Sequence, residues 1–137
     1  MKILVLVPAY NEEAALAATV ESLLTREGYD ILIVNDGSID RTAQIAVELA
    51  AAHKPRVQYI SMSSNVGIGG AVQSGFIYAS RHDYDVAVQY DGDGQHSIDS
   101  LPDLINRFTL RNSTFRYDAF GIPQYVEAVV RAERLPV

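Results

Sequence analysis

The chain contains no cysteine. That absence excludes disulfides, thiolate zinc sites and a cysteine nucleophile, and it makes a reducing cytoplasm the expected compartment. Positive charge is also in short supply: 17 acidic against 11 basic side chains give a formal net charge of −6. The resulting field repels nucleic acid and anionic lipid, so a polyanionic ligand would need local help from a cation, a helix N-terminus or a few arginines. No apolar run approaches the roughly 18 residues of a membrane span. The short run at residues 3–7 follows Lys2, but Pro8, Asn11, Glu12 and Glu13 interrupt it, which argues against a secretory signal. Several catalytic signatures are missing. Val72 stands where the last glycine of a dinucleotide fingerprint beginning at Gly67 would fall, and no G-x-x-x-x-G-K-[ST] segment occurs. Ser38 and Ser74 lack the Gly-x-Ser-x-Gly setting of a hydrolase nucleophile, and His53, His82 and His96 lack zinc-ligand spacing. His53 and His82 read as surface residues, while His96 adjoins Gln95 and leaves structural and catalytic roles equally open. No segment repeats and none is low in complexity.

What remains is an ordinary globular balance. The 137 residues are 48% hydrophobic and 20% charged, enough for one domain with one core. Branched apolar runs at 3–7, 31–34, 57–62 and 86–90 read as strands, the first two buried on both faces. Between them, Leu16, Val20, Leu23 and Leu24, then Ala43, Ala46, Leu49 and Ala50, fall at helical spacing, and a third helix is predicted over 70–79. Asn11 is placed to cap the first helix, with Glu12 and Glu13 in its first turn, and Asp40 or Ser38 to cap the second. Ile98, Leu101, Leu104, Ile105 and Phe108 form a further stripe, residues 125–132 a short helix, and 135–137 an edge strand or frayed end. This alternation predicts an α/β fold, a mostly parallel sheet with helices on both faces.

In such sheets ligands bind beyond the carboxyl ends of the strands, near a switch in strand order. Tyr10-Asn11-Glu12, Asp36-Gly37-Ser38, Asn65-Val66-Gly67 and Asp91-Gly92-Asp93 each directly follow a strand and are expected on one rim. Asp91 and Asp93 are carboxylates one small residue apart, and Gly92 and Gly94 leave room for a ligand. Magnesium and manganese favour such oxygen ligands together with substrate phosphates. Taken alone, the segment would read as a solvated turn; its place on the rim favours a metal site. Asp36 either belongs to a turn and cap or accepts hydrogen bonds from a nucleobase or ribose, and Glu12 is either a helix-dipole partner or, with 8–12, part of the pocket border. The glycines from Gly67 make a tight loop into a helix whose free amides can face a phosphate.

Together, Val7-Pro8-Ala9-Tyr10-Asn11-Glu12-Glu13, the segment from Ile33 to Thr42, Asn65-Val66-Gly67-Ile68-Gly69-Gly70-Ala71 and Tyr90-Asp91-Gly92-Asp93-Gly94-Gln95-His96 resemble family 2 glycosyltransferases of the GT-A fold. Within that family they are similar to the group of dolichyl-phosphate mannose synthases and bacterial polyprenyl-phosphate sugar transferases. The resemblance covers about the first 105 residues. It implies that Pro8, Ala9, Tyr10, Glu12 and Asp36 line the nucleotide pocket, with Asp36 reading the base, and that Gly67 and Gly92 border the substrate. It implies Mg²⁺ or Mn²⁺ on Asp91 and Asp93 with Gln95 beside them, and inverting transfer of a hexose from a UDP- or GDP-linked sugar to a polyprenyl or dolichyl phosphate. A lipid phosphate is already anionic, so no strong general base is required. The implied location is cytoplasmic, peripheral at the inner face of the membrane.

The departure lies downstream. Relatives carry a longer acceptor-side half with a Thr-Ser-Gly-Phe-Arg-like segment whose arginine meets phosphate; here Ser113-Thr114-Phe115-Arg116 lacks the glycine, leaving Arg116 as the matching candidate. Residues 132–137 are similar to a later family strand. The expected division is therefore a nucleotide-sugar-binding core at 1–108 and a remnant or incomplete acceptor-side segment at 109–137. Two alternatives stand beside the enzyme: a truncated module that binds nucleotide sugar without transfer, and a sugar nucleotidyltransferase, against which residues 9–15 offer neither Lys nor Arg. The oligomeric state is left open, a homo-oligomer included, and nucleic acid is not an expected partner.

Overall fold

The computed structural model describes residues 2–90, 98–101 and 129–130. Four parallel strands, β1 (Ile3–Ala9), β2 (Asp30–Asn35), β3 (Val57–Ser61) and β4 (Val86–Gln89), alternate with helices α1 (Leu16–Leu24), α2 (Thr42–Ala52) and α3 (Gly67–Arg81). A short strand β5 (Val129–Val130) runs antiparallel to β4, completing a sheet of order β3-β2-β1-β4-β5.

The uninterrupted apolar runs of β1 and β2 follow from coverage on both faces. Val5, Val7, Ala9, Ile31 and Ile33 pack against Leu16, Val20 and Leu23 of α1 and Ala46 and Leu49 of α2. The alternate residues Leu4, Leu6, Leu32 and Val34 meet Ala71, Val72, Phe76 and Ala79 of α3. Gly75 lets α3 come close: a Cβ there would lie 2.9 Å from Leu6 Cδ1.

β1 continues through Pro8, past the predicted end at residue 7, although a central strand normally rejects proline. Register explains the tolerance. The Leu6 carbonyl accepts from Tyr90 N, so Leu6 and, two residues on, Pro8 face the β4 side, while Ala9 faces β2 and accepts from Asp36 N. β4 pairs with β1 only as far as Leu6, so the missing N–H of Pro8 falls at the end of that ladder, where one terminal bond is forgone and no interior one is broken.

Three other expectations are corrected. Asn11 does not cap α1: it adopts φ 52°, and the helix starts at Leu16 after a turn closed by Glu12 O, so Glu12 and Glu13 precede the helix. α3 begins three residues earlier than predicted, at Gly67. The helix expected over 125–132 is not what residues 129 and 130 form, since both pair with β4. Ile98 and Leu101, from the predicted stripe, do pack on the α1/α2 side, Ile98 within a 3-10 turn; Leu104, Ile105, Phe108 and residues 135–137 lie outside the described residues. Among the described residues no helix is long and apolar enough to cross a membrane.

At the amino ends of the strands the buried Tyr84 hydroxyl donates to Asp30 Oδ2 at 2.6 Å and accepts from Gln58 Nε2 at 3.0 Å. Burial, reinforced by the bond to Asp30, pushes its pKa well above the usual tyrosine value. Tyr84→Phe removes one donor and one acceptor in a partly enclosed site, so urea unfolding should show a loss of about 1–2 kcal/mol. An unchanged midpoint would mean that the network contributes nothing.

Candidate functional site

The strand order reverses between β1 and β4, and the crevice beyond their carboxyl ends is the switch point at which such sheets bind ligands. Pro8, Ala9, Tyr10 and Glu12 leave β1 on one side of it. On the other side β4 is followed by Tyr90, whose amide is still held by Leu6 O at 2.8 Å. Asp91 is the next residue in the chain; Asp91, Gly92, Asp93, Gln95 and Arg116 lie outside the described residues. Ala9 is buried, Pro8 and Glu12 are half-buried and Tyr10 is exposed. A pit of about 20 Å³ opens at the end of β1, lined in part by Pro8, Ala9, Glu12 and Thr19.

β2 brings Asp36 to the same rim. Its backbone N–H donates to Ala9 O at 2.9 Å, which places the two loops side by side. Tyrosines apart, the buried polar side chains among the described residues are Asn35, Asp36 and Thr42, all at the end of β2 or the start of α2. Burial of such groups is tolerated only when they are hydrogen-bonded. Asn35 Nδ2 donates to Ser61 Oγ at 3.2 Å, and Asn35 Oδ1 accepts from Ser38 N at 3.2 Å. The Asp36 carboxylate, 3% exposed, accepts from Val66 N at 2.8 Å on Oδ1 and from Asn65 Nδ2 at 3.1 Å on Oδ2. These are neutral donors, and among the described residues no basic side chain forms an ion pair with it. A carboxylate has about four acceptor positions, so further N–H or O–H groups can still be bound.

Asp36 therefore does more than belong to its own turn: it links the β2 loop to the start of α3. Gly37 permits the contact. At φ +68° its hypothetical Cβ would lie 2.4 Å from both Asn65 N and Ser64 C. Gly67, at φ +86°, opens α3 into free space on this rim. Asp40, offered in the sequence as a cap for α2, accepts from Thr42 N at 2.8 Å and Thr42 Oγ1 at 2.5 Å. Desolvation pushes the Asp40 pKa up, but the bonds from Thr42, together with the Glu13 amide, outweigh it and hold the carboxyl below its ordinary value. Neither Asp40 nor Ser38 is the N-cap residue of α2, which is Arg41; Asp40 bonds from the position before it, and the Ser38 hydroxyl accepts from Asn11 N at 2.9 Å.

His82 is exposed and stacks on Tyr78 with centroids 3.8 Å apart, and His53 is half-buried at the end of α2; neither is near the rim. A cleft of about 370 Å³ lies at the opposite end of the sheet, beside Lys2, Glu27, Asp30 and Arg56. Its cations are committed to structure. Arg56 donates to the carbonyls of Leu24, Arg26 and Tyr29, and Lys2 Nζ donates to His82 O at 2.9 Å.

The model of glycosyl transferase family 2 matches residues 4–123, which includes every element bordering the crevice. The chain belongs to that family. Among curated relatives of this family 2 chain, the undecaprenyl-phosphate mannosyltransferase of Micrococcus luteus is 36% identical over 108 residues, covering 77% of this chain and 43% of the relative. The polyprenol monophosphomannose synthase of Mycolicibacterium smegmatis is 38% identical over 104 residues, covering 75% and 39% respectively. The chain thus spans less than half the length of either. In fold it is similar to Staphylococcus aureus TarS 1–349 in complex with UDP, with a TM-score of 0.65 at 22% identity over 90% of this chain and 38% of that one. The mannosyltransferase PcManGT of Pyrobaculum calidifontis, solved with GDP-Man and Mn²⁺, gives 0.63 at 19% identity over 75% and 31%. The fold is GT-A, as the motifs implied.

Thr42 enters the sequence reading only as a motif member, and Asn65 as part of a rim loop, with no bonding role for either side chain. Their signal was present as short polar side chains at the ends of rim loops, but their partners are about thirty positions away.

Proposed function

We propose that this chain binds a nucleoside-diphosphate sugar across the β1/β4 crevice and contributes the donor side of a hexosyltransferase. The observation that supports this reading best is the buried Asp36 carboxylate, held by neutral donors beside the Pro8–Glu12 loop at the switch point. A buried carboxylate without a cation is costly to keep, and such groups concentrate at functional sites. In this reading the remaining acceptor positions of Asp36 take N–H groups of the base, while Pro8, Ala9, Tyr10 and Glu12 border the nucleoside and Gly67 and Gly92 leave space for the rest of the donor.

Asp91 and Asp93, with the amide oxygen of Gln95, offer an all-oxygen ligand set that fits Mg²⁺ or Mn²⁺. When bound, the cation would neutralise charge on the departing diphosphate. The fit is reinforced by placement, since Tyr90 delivers the chain to the crevice edge, and by the net charge of −6, which otherwise opposes a diphosphate. Arg116 is the proposed phosphate contact of the acceptor side, in a division of 1–108 for the donor and 109–137 toward the acceptor. One curated relative is named as an undecaprenyl-phosphate mannosyltransferase and another as a polyprenol monophosphomannose synthase. A polyprenyl or dolichyl phosphate is accordingly the proposed acceptor, with the chain peripheral to the cytoplasmic membrane face.

The test is transfer itself. Incubated with Mn²⁺, a short-chain polyprenyl phosphate and radiolabelled UDP- or GDP-hexoses, the chain should convert one donor into an organic-extractable phosphosugar with inverted anomeric configuration. Donor binding without any extractable product would replace the enzyme with a nucleotide-sugar-binding module.

A further inference from the structure

The loop joining β1 to α1 makes few bonds of its own before the turn at Glu12, and a short exposed loop of this kind would ordinarily be mobile. It is held from outside. Three consecutive amides donate to side chains of the segment leading into α2: Asn11 N to Ser38 Oγ at 2.9 Å, Glu12 N to Thr42 Oγ1 at 2.8 Å, and Glu13 N to Asp40 Oδ2 at 3.3 Å. In return Asn11 Oδ1 accepts from Ile39 N at 2.9 Å, which helps keep Asn11 at φ 52°. A run of amides like this can cradle an anion. Here the chain's own oxygens occupy it, so these amides orient the loop and do not meet donor phosphate.

Thr42 is the centre of the arrangement. It is fully buried, and its hydroxyl gives its proton to Asp40 Oδ1 at 2.5 Å. That donation leaves an oxygen lone pair facing Glu12 N, so Asp40 fixes the direction in which Thr42 accepts. Neither side chain lines the pit at the end of β1; both bond to the backbone of the loop that carries Tyr10 and Glu12.

We propose that Thr42 and Asp40 are positioning residues for donor binding, which set the β1–α1 loop and through it the Tyr10 and Glu12 side of the nucleoside pocket. This rests on the donor-site reading above. Thr42→Val keeps the shape and removes the hydroxyl; Thr42→Ser keeps the hydroxyl. Donor affinity by calorimetry and steady-state transfer would be measured for both and for Asp40→Asn, each first shown to unfold cooperatively. One lost hydrogen bond to a loop amide corresponds to about a tenfold change. Thr42→Val should therefore raise donor Kd and KM about tenfold with kcat within about twofold of the parent, and Thr42→Ser should restore both constants. Asp40→Asn should give a smaller rise of the same kind, and it carries the test if Thr42→Val does not fold. Unchanged nucleotide affinity in folded Thr42→Val, a loss confined to kcat, or failure of serine to rescue would overturn the positioning role. Absence of nucleotide binding by the parent chain would instead overturn the donor-site reading, and is seen before any variant is made.

Discussion

Gly37→Ala should lower the thermal unfolding midpoint by about 10 °C and weaken nucleotide binding at the same time. Two penalties combine at this position. The residue sits at φ +68°, where an L side chain costs roughly 1–2 kcal/mol. The new Cβ would also lie 2.4 Å from Asn65 N and Ser64 C, backbone atoms that cannot rotate away. Overpacking of this kind adds about 1–3 kcal/mol, and in a chain of this size each kcal/mol moves the midpoint by about 3–5 °C. Relief would require the β3–α3 loop to shift, carrying Asn65 and Val66 away from Asp36. Gly28→Ala separates the two effects: at φ +103° with nothing within 4 Å, it bears the dihedral cost alone. Equal losses for the two variants would contradict the tight packing assigned to Gly37.

Asp93→Asn should leave the midpoint nearly unchanged while metal-dependent donor binding falls by about a hundredfold or more. Removing one of the two carboxylates proposed to hold the cation should cost at least as much as losing an outer partner of a metal ligand, which is worth about 10–100-fold. The two predictions are complementary. In the proposed reading Gly37 acts on the fold and the nucleoside side, and Asp93 on the diphosphate side. Calorimetry with and without Mn²⁺ checks the second, and parent-like, Mn²⁺-dependent affinity in Asp93→Asn would remove Asp93 from the metal site.

How much of this could be read in advance depended on the range of the interaction. β1 and β2 were legible because strands covered on both faces cannot afford polar positions, and the helical stripes of α1 and α2 were legible for the complementary reason. The gathering of Tyr10, Asp36 and Asn65 on one rim followed from topology, since each lies in the loop that follows a parallel strand. Asn11 was misread because local rules make it a cap, whereas its amide oxygen is taken by Ile39, beyond the next strand. Thr42 looks from the sequence like an ordinary first helical residue, and only its place beneath Glu12 N makes it a loop anchor. Of the two possibilities left open for Asp36, the loop-fastening one is visible in its bonds from Asn65 and Val66, and base recognition belongs to the proposed function. Val129 and Val130 pair with a strand some forty residues earlier, a contact that no local periodicity records.

The central claim is that the β1/β4 crevice is a nucleoside-diphosphate site. Calorimetric titration of the chain with UDP and with GDP, each with and without Mn²⁺, tests it most directly. One of the two nucleotides should bind at one site per chain, with micromolar to millimolar Kd, more tightly with Mn²⁺ than without, and Asp36→Asn should abolish the preference for that base. Heats indistinguishable from dilution for both nucleotides in the presence of Mn²⁺, from a chain that unfolds cooperatively, would contradict it.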